Sequence, residues 1–319
     1  MPRRSIATRT LVESALLVAM ATIFCVLDAY VPVFALVYPL PIVVLVVRHG
    51  VEAGVWATAV TIAATSMFVG FAQGLTVLAK VGIIGITLAW CIRRRLPPLR
   101  TLLLTCVAVA VAMALILGLG AWLGGFSLAA VEEMFRKSLS SAVDFYRRLG
   151  MSEAQLQQVQ TQLSQLVETA KIILPASITM AIVGIAGVNY LIARLVLGRL
   201  GYKMEEIPPF AKWRVSWPFG WGYIAALVLS MAGQATGIPI LWKAGANLLS
   251  LFSTLFLVQG LALAWYLMNR YQLNTAVRIL LGVFAALNPT VLQIVSWVGL
   301  FDAWFDFRKL SWGGGGKRT

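Results

Sequence analysis

The sequence predicts an all-α fold, a polytopic transmembrane helical bundle. Three observations predict it. Apolar runs of about 20 residues, the length that crosses a bilayer, recur along the chain. Their pattern is helical rather than alternating, which excludes an outer-membrane barrel. And 60% of the 319 residues are hydrophobic against 12% charged, at a mean hydropathy of +0.86, more apolar surface than a water-soluble domain hides.

The first span is 9–29, behind the basic "MPRRSIATRT". Its apolar run is long, no small-residue cleavage site follows it, and more spans come at once. It reads as a retained span with its basic flank inside, not a signal peptide. Within "LVESALLVAMATIF" (11–24), Ala15 and Ala19 share one helix face, flanked by Ser14 and Ala21. They make a smooth strip among bulky neighbours. Span 34–48 is short, and "YPLPI" puts Pro39 and Pro41 into it. Both lack a backbone donor, so this element is expected to be broken or partly re-entrant. Spans 51–70, 74–93 and 101–123 follow.

The polar insertion 126–171 predicts an external helical hairpin. Its first arm starts at Ser127 and ends at Gly150, a C-cap residue. Its second arm starts at Ser152, a good N-cap, and carries the apolar stripe Leu156, Val159, Leu163 and Leu166. It leads into span 172–198. Two roles stay open for it: a surface element on lipid headgroups, or a lid over a site in the bundle. The loop 201–218, "GYKMEEIPPFAKWRVSWP", reads as a cytoplasmic linker between a six-span unit, 1–200, and C-terminal membrane helices, 219–319. Spans there are 219–237, 240–269 and 275–303. No internal repeat relates the two parts. Pro289 of "NPT" (288–290) disfavours a helical Asn288 and splits the last span into a hairpin. That keeps the basic tail "FDFRKLSWGGGGKRT" inside and gives about ten membrane segments.

The net charge is +14. With the N-terminus inside, most of the 26 Lys and Arg fall in inner loops, as the positive-inside rule requires. That accounts for the charge without nucleic acid, for which no basic patch with exposed aromatics is present. The expected location is the bacterial inner membrane. Cys25, Cys91 and Cys106 are widely spaced and form no metal or disulfide pattern. His49 is the only histidine, which argues against a zinc site or a His-based triad. "GGGGKRT" (313–319) lacks the first glycine and the Ser/Thr of a P-loop. There is no HExxH and no G-x-S-x-G. No enzyme activity and no cofactor are expected, and any ATP-driven role needs another subunit.

Polar residues inside spans carry more information, because hydrocarbon penalises them. They are Asp28, Gln73, Lys80, Asn189, Tyr190, Gln234, Lys243, Asn247 and Gln259. Each alone reads as interhelical glue or an interfacial anchor. Together they cluster toward the outer half, which suits a pocket loaded from outside. Gln73, Lys80, Asn189, Tyr190 and Asn247 are the candidate substrate-binding residues. Gly82 and Gly85, and Gly184 and Gly187, predict close helix approach. In "FDAWFDFRKL", Asp302 and Asp306 share a helix face ahead of Arg308 and Lys309. This predicts an ion-paired anchor, or a contact for a cytoplasmic partner.

Six spans with both ends inside and Ala15-Leu-Leu-Val-Ala19 on the first resemble the S-components of energy-coupling-factor (ECF) vitamin transporters. The resemblance implies that Ala15 and Ala19 dock on the coupling subunit, that separate ATPases energise uptake, and that substrate sits near the outer face. The whole chain is similar to the YybS-like family of uncharacterised bacterial membrane proteins, distantly related to S-components. "YPLPIVVLVVRHG", "EEMFRKSLSSAVDFYRRLGMSE", "IPPFAKWRVSWP", "LVQGLALAWYLMNRY" and "GLFDAWFDFRKL" carry that likeness. The expected function is an integral membrane substrate-binding component of a small-molecule, vitamin-like uptake system. The alternative is a membrane scaffold or regulator of envelope assembly or sporulation.

Overall fold

A computed structural model describes residues 2–31, 34, 36–123, 128–202, 204–205 and 207–308, leaving aside the side chains of 2–9, 128–132 and 135. Ser127, Lys203 and the tail 309–319 with its "GGGGKRT" lie outside the described residues. Among the described residues every regular element is helical. In order these are α1 (Pro2–Asp28), α2 (Leu40–His49), α3 (Val51–Val69), α4 (Phe71–Val77), a π-helical stretch (Leu78–Ile83) and α5 (Ile84–Arg93). Then come α6 (Pro98–Trp122), α7 (Leu128–Arg148), α8 (Glu153–Arg199), a 3-10 turn (Phe210–Lys212), α9 (Pro218–Thr236), α10 (Pro239–Arg270), α11 (Thr275–Leu287) and α12 (Pro289–Phe305).

Among the described residues six helical stretches are long and apolar enough to cross a membrane: Thr10–Asp28, Val51–Val69, Phe71–Arg93, Pro98–Trp122, Glu153–Arg199 and Pro239–Arg270. The nine spans expected from sequence are corrected in three places. The expected span 34–48 contains only a ten-residue helix, α2, about 15 Å long and too short to cross. Its Ile42, Val43, Val44, Leu45 and Val46 are buried, so it is a core element. The expected span 219–237 is α9, with the length of a span but less apolar than the six. The expected span 275–303 is two helices bent by 105°. Asn288 makes that bend, as "NPT" predicts. Its Oδ1 accepts from Thr290 N (3.0 Å) and Val291 N (3.4 Å), capping α12 ahead of Pro289.

The insertion also differs from expectation. Gly150 takes a left-handed φ of 84° after α7, and Ser152 opens α8 with a capping box closed by Gln155. α8 then runs unbroken through Pro175 for 47 residues, about 70 Å at 1.5 Å per residue. The expected second arm and the sixth span are one helix.

The chain divides into two compact units. The first holds residues 1–157 and 181–206. In it α2 packs against α1, α3 and α5. Gly54 lets Val46 approach α3, and Gly82 and Gly85 face Thr58 and Pro39, as their close-approach reading requires. Gly184 and Gly187 face nothing within 4 Å, which corrects the same reading there. A core of Ala79, Ile84, Val109, Ala112 and Ala186 joins the fourth-span helices, α6 and α8. Buried Thr58 and Thr61 return their hydroxyls to Gly54 O and Ala57 O at 2.8 Å, which satisfies donors that lipid cannot.

The second unit holds 158–180 and 207–308 of the described chain. Glycines bring its backbones together: Gly233 against Trp242 and Gly245 against Ser230 join α9 to α10, and Gly260 against Val295 and Gly299 against Phe256 join α10 to α12. Asn247 of α10 repairs the backbone around Pro175. Its Oδ1 accepts from Ala176 N (2.9 Å), and its Nδ2 donates to Ile172 O (2.7 Å). "FDAWFDFRKL" closes this unit with ion pairs inside the molecule. Arg308 Nη2 donates to Asp302 Oδ2 at 2.7 Å, and Arg214 pairs with Asp306 at 3.1 Å.

Candidate functional site

The most unusual polar group within a span is Lys80. It lies in the π-helical stretch Leu78–Ile83, between α4 and α5. A π turn holds one residue more than an α turn, widens the helix locally, and recurs at functional sites. Lys80 Nζ donates to Asp28 Oδ2, the last residue of α1, at 2.9 Å across 52 residues. The Lys80 side chain keeps 21% of its surface exposed and that of Asp28 8%. Lys80 Nζ also lies 5.8 Å from the centre of the Tyr38 ring, within reach of a cation–π attraction. Cys25, one turn before Asp28 on α1, is buried. Phe24 and Phe34 stack at 6.0 Å.

An isolated charge in hydrocarbon is costly, and pairing offsets part of that cost. Here the carboxylate and the ammonium neutralise each other with one short bond, and the Tyr38 face shields the cation. A guest with its own carboxylate or ammonium can take the place of one partner. Among the described residues no group of three His, Cys, Asp or Glu is arranged to hold a metal ion.

The opposite end of the first unit is basic. Glu13, fifteen residues before Asp28 on α1 and so about 22 Å away along the axis, pairs with Arg48 and lies 3.4 Å from His49 Nε2. Arg93 Nη1 donates to Val46 O at 3.2 Å. A cavity of about 350 Å³ opens at this end, lined by Ile92, Arg95, Leu96, Thr101, Tyr190, Met204 and Glu205.

Of the residues expected to share an outer pocket, the four in the first unit, Gln73, Lys80, Asn189 and Tyr190, are not gathered in one site, and Asn247 belongs to the second unit. Lys80 alone of them joins the ion pair. Gln73 sits seven residues earlier on the same span, half-buried, and its carbonyl accepts from Thr76 at 2.8 Å. Asn189 is buried and donates to Ile185 O at 2.9 Å within its own helix. Tyr190 lines the cavity at the basic end. Ile92 of that cavity is twelve residues from Lys80, about 18 Å along the helix axis. The amide of Asn247 is spent on the backbone around Pro175. Ala15 and Ala19 are both exposed on α1, beside exposed Leu11, Val12, Leu16, Met20 and Ile23. Sequence reasoning named Asp28 as a polar residue in a span but not as the partner of Lys80, and it missed Tyr38. An acidic residue on one span and a lysine on another were the available signal.

The comparisons with known proteins agree with the membrane reading. A family model described as "Predicted membrane protein (DUF2232)" matches residues 19–303, a region that contains Asp28, Tyr38 and Lys80. The uncharacterized protein YybS of Bacillus subtilis (strain 168) is 25% identical over 308 residues, covering 94% of this chain and 98% of that protein. No solved structure matches the chain. By the extent of that match, the chain belongs to the DUF2232 family of predicted membrane proteins.

Proposed function

We propose that the chain is the substrate-binding membrane component of a small-molecule, vitamin-like uptake system in the bacterial inner membrane. A separate ATPase energises it, and the chain itself carries no enzyme activity. The observation that carries this reading is the Lys80–Asp28 pair, held at a π-widened turn and still partly exposed. A purely structural pair in lipid gains from being sealed. One left open beside an aromatic ring can exchange its bond for a charged group of a guest. Asp28, Tyr38 and Lys80 are the binding residues in this reading, with Gln73 on the same span.

The exposed Ala15 and Ala19 supply the second part, a smooth face on α1 for the coupling subunit of an energy-coupling-factor module. The N-terminus is cytoplasmic in this arrangement, which puts the Lys80 end of the unit outside.

The test is a mild-detergent pull-down of the tagged full chain from its native membranes, with mass spectrometry of proteins and small molecules retained. The reading expects a coupling subunit and ATPases to be retained, with Ala15→Trp/Ala19→Trp losing them and Lys80→Met losing the small molecule instead. Retention of envelope-assembly proteins in their place, unchanged by either variant, overturns it and leaves the scaffold reading.

A further inference from the structure

We propose that the cavity at the basic end of the first unit holds a phosphodiester monoanion, the headgroup of a membrane phospholipid.

The observation that carries it is the backbone of Arg95. After α5 the chain turns with Arg95 N bonded to Ile92 O (3.0 Å) and Leu96 N to Cys91 O (3.1 Å). This is the closing turn whose left-handed position glycine favours. Arg95 occupies it at φ 52°. The end of α8 makes the same turn, with Gly201 N on Gly198 O (3.1 Å) and Tyr202 N on Leu197 O (3.0 Å), and places a glycine there. The end of α10 makes it too, with Gln272 at φ 49°, so a long side chain at this turn is not by itself a site; Arg95 is a cation, and it lines a cavity of about 350 Å³.

The lining supplies the rest of an anion site. Tyr190, 6% exposed, and Thr101, 1% exposed, bring two hydroxyls. Among the described residues the Thr101 hydroxyl is committed only to a long bond, 3.3 Å, to Leu96 O. α6 begins at Pro98 with no side chain capping its first turn, so its dipole adds positive potential. Arg95 and Arg194 form no ion pair among the described residues, and the charges of Arg194 and Glu205 both reach Tyr190, with opposite sign. Glu205 is the one acidic group among the described lining residues. It opposes a second negative charge, which favours a diester over a phosphate monoester. It also accepts from a hydroxyl or ammonium on the headgroup.

The surroundings select a lipid over a soluble diester. Leu99 and Leu103 on α6, and Leu191 and Leu195 on α8, are exposed at 68%, 57%, 46% and 58%. They lie on the two helices that carry Thr101 and Tyr190 and offer apolar surface for two acyl chains. Basic pockets between membrane helices bind anionic headgroups in this way.

The test is native mass spectrometry of the full chain in detergent, titrated with phosphatidylglycerol, with diacylglycerol, and with water-soluble glycerophosphoglycerol. Wild type is expected to retain one phosphatidylglycerol, and neither diacylglycerol nor glycerophosphoglycerol at equal concentration. Arg95→Gly is expected to weaken that binding about tenfold, the loss of one charged contact, and Arg95→Lys less. Glycine suits this backbone, so the Arg95→Gly protein melts no lower than wild type, and lost binding is not lost folding. Unchanged phosphatidylglycerol binding in Arg95→Gly overturns the site. Glycerophosphoglycerol binding as tightly as phosphatidylglycerol overturns the lipid assignment.

Discussion

The two units each hold a short carboxylate–cation pair, and they treat it in opposite ways. In the second unit Asp302 and Arg308 are 1% and 0% exposed in their side chains. The Asp302 carboxylate also accepts from Gln259 Nε2 at 2.9 Å. Gln259 Oε1 in turn accepts from Val215 N (2.9 Å), and Arg308 Nη1 donates to Ala211 O (2.7 Å). Each charge is tied to backbone from another part of the unit. In the first unit Lys80 and Asp28 share one bond and keep 21% and 8% of their side-chain surface exposed. A sealed, multiply bonded pair fixes structure. An open, singly bonded pair inside a membrane is suited to exchange.

That contrast makes its largest prediction at Asp302. Asp302→Ala leaves Arg308 buried without its counter-charge and Gln259 without its acceptor. Breaking such a pair costs about 3–5 kcal/mol, so the variant is expected to unfold far below wild type in a detergent melting experiment. Asp28→Asn removes the charge from a pair held by one bond, with Lys80 21% exposed. Its cost is expected below that of Asp302→Ala, because the pair has one bond rather than several and Asn keeps an acceptor for Lys80. Equal losses in the two variants would erase the distinction between the units.

Asn247→Ala comes next and sharpens the account of the second unit. It removes the amide that serves Ala176 N and Ile172 O beside Pro175. Leaving buried backbone groups unserved costs about 1–3 kcal/mol. Pro175→Ala restores a normal helix there, so the double variant is expected to recover most of the loss. A double variant no better than Asn247→Ala would mean that the amide matters for something other than the proline.

Asn247 also shows where the sequence stopped being legible. Apolar runs of span length marked all six crossing helices, because a bilayer imposes its thickness on composition directly. The Asn288–Pro289 break was readable because its bonds are local. The continuity of α8 through Pro175 was not, since the groups that permit it come from a residue 71 positions away. The π turn around Lys80 likewise leaves no mark in residue types. For the site, a lysine in an apolar run says that something compensates its charge, but not what. Asp28 and Tyr38 are 52 and 42 positions away, and only the fold brings them to it. Tyr190, on apolar α8, carried no sign of which end of the unit it would face.

The smallest expected effect is at Arg95, and its sign matters more than its size. A residue with a side chain in the left-handed region is strained by about 1 kcal/mol or more relative to glycine. Glycine gives part of that back through the greater freedom of its unfolded chain. Arg95→Gly is therefore expected to stabilise the lipid-free protein by a few tenths of a kcal/mol, about 0.5, in the same melting experiment. With phosphatidylglycerol added, the order is expected to reverse. A ligand that binds only the folded chain raises its stability by an amount set by affinity, and the wild type has the higher affinity. A crossover of the two melting curves with added lipid separates a cation retained for binding from one that merely sits at a strained turn. Gln272, left-handed at φ 49° after α10 and not among the lining residues of this cavity, is the internal control. Gln272→Gly is expected to show the same small gain without lipid and no crossover with it.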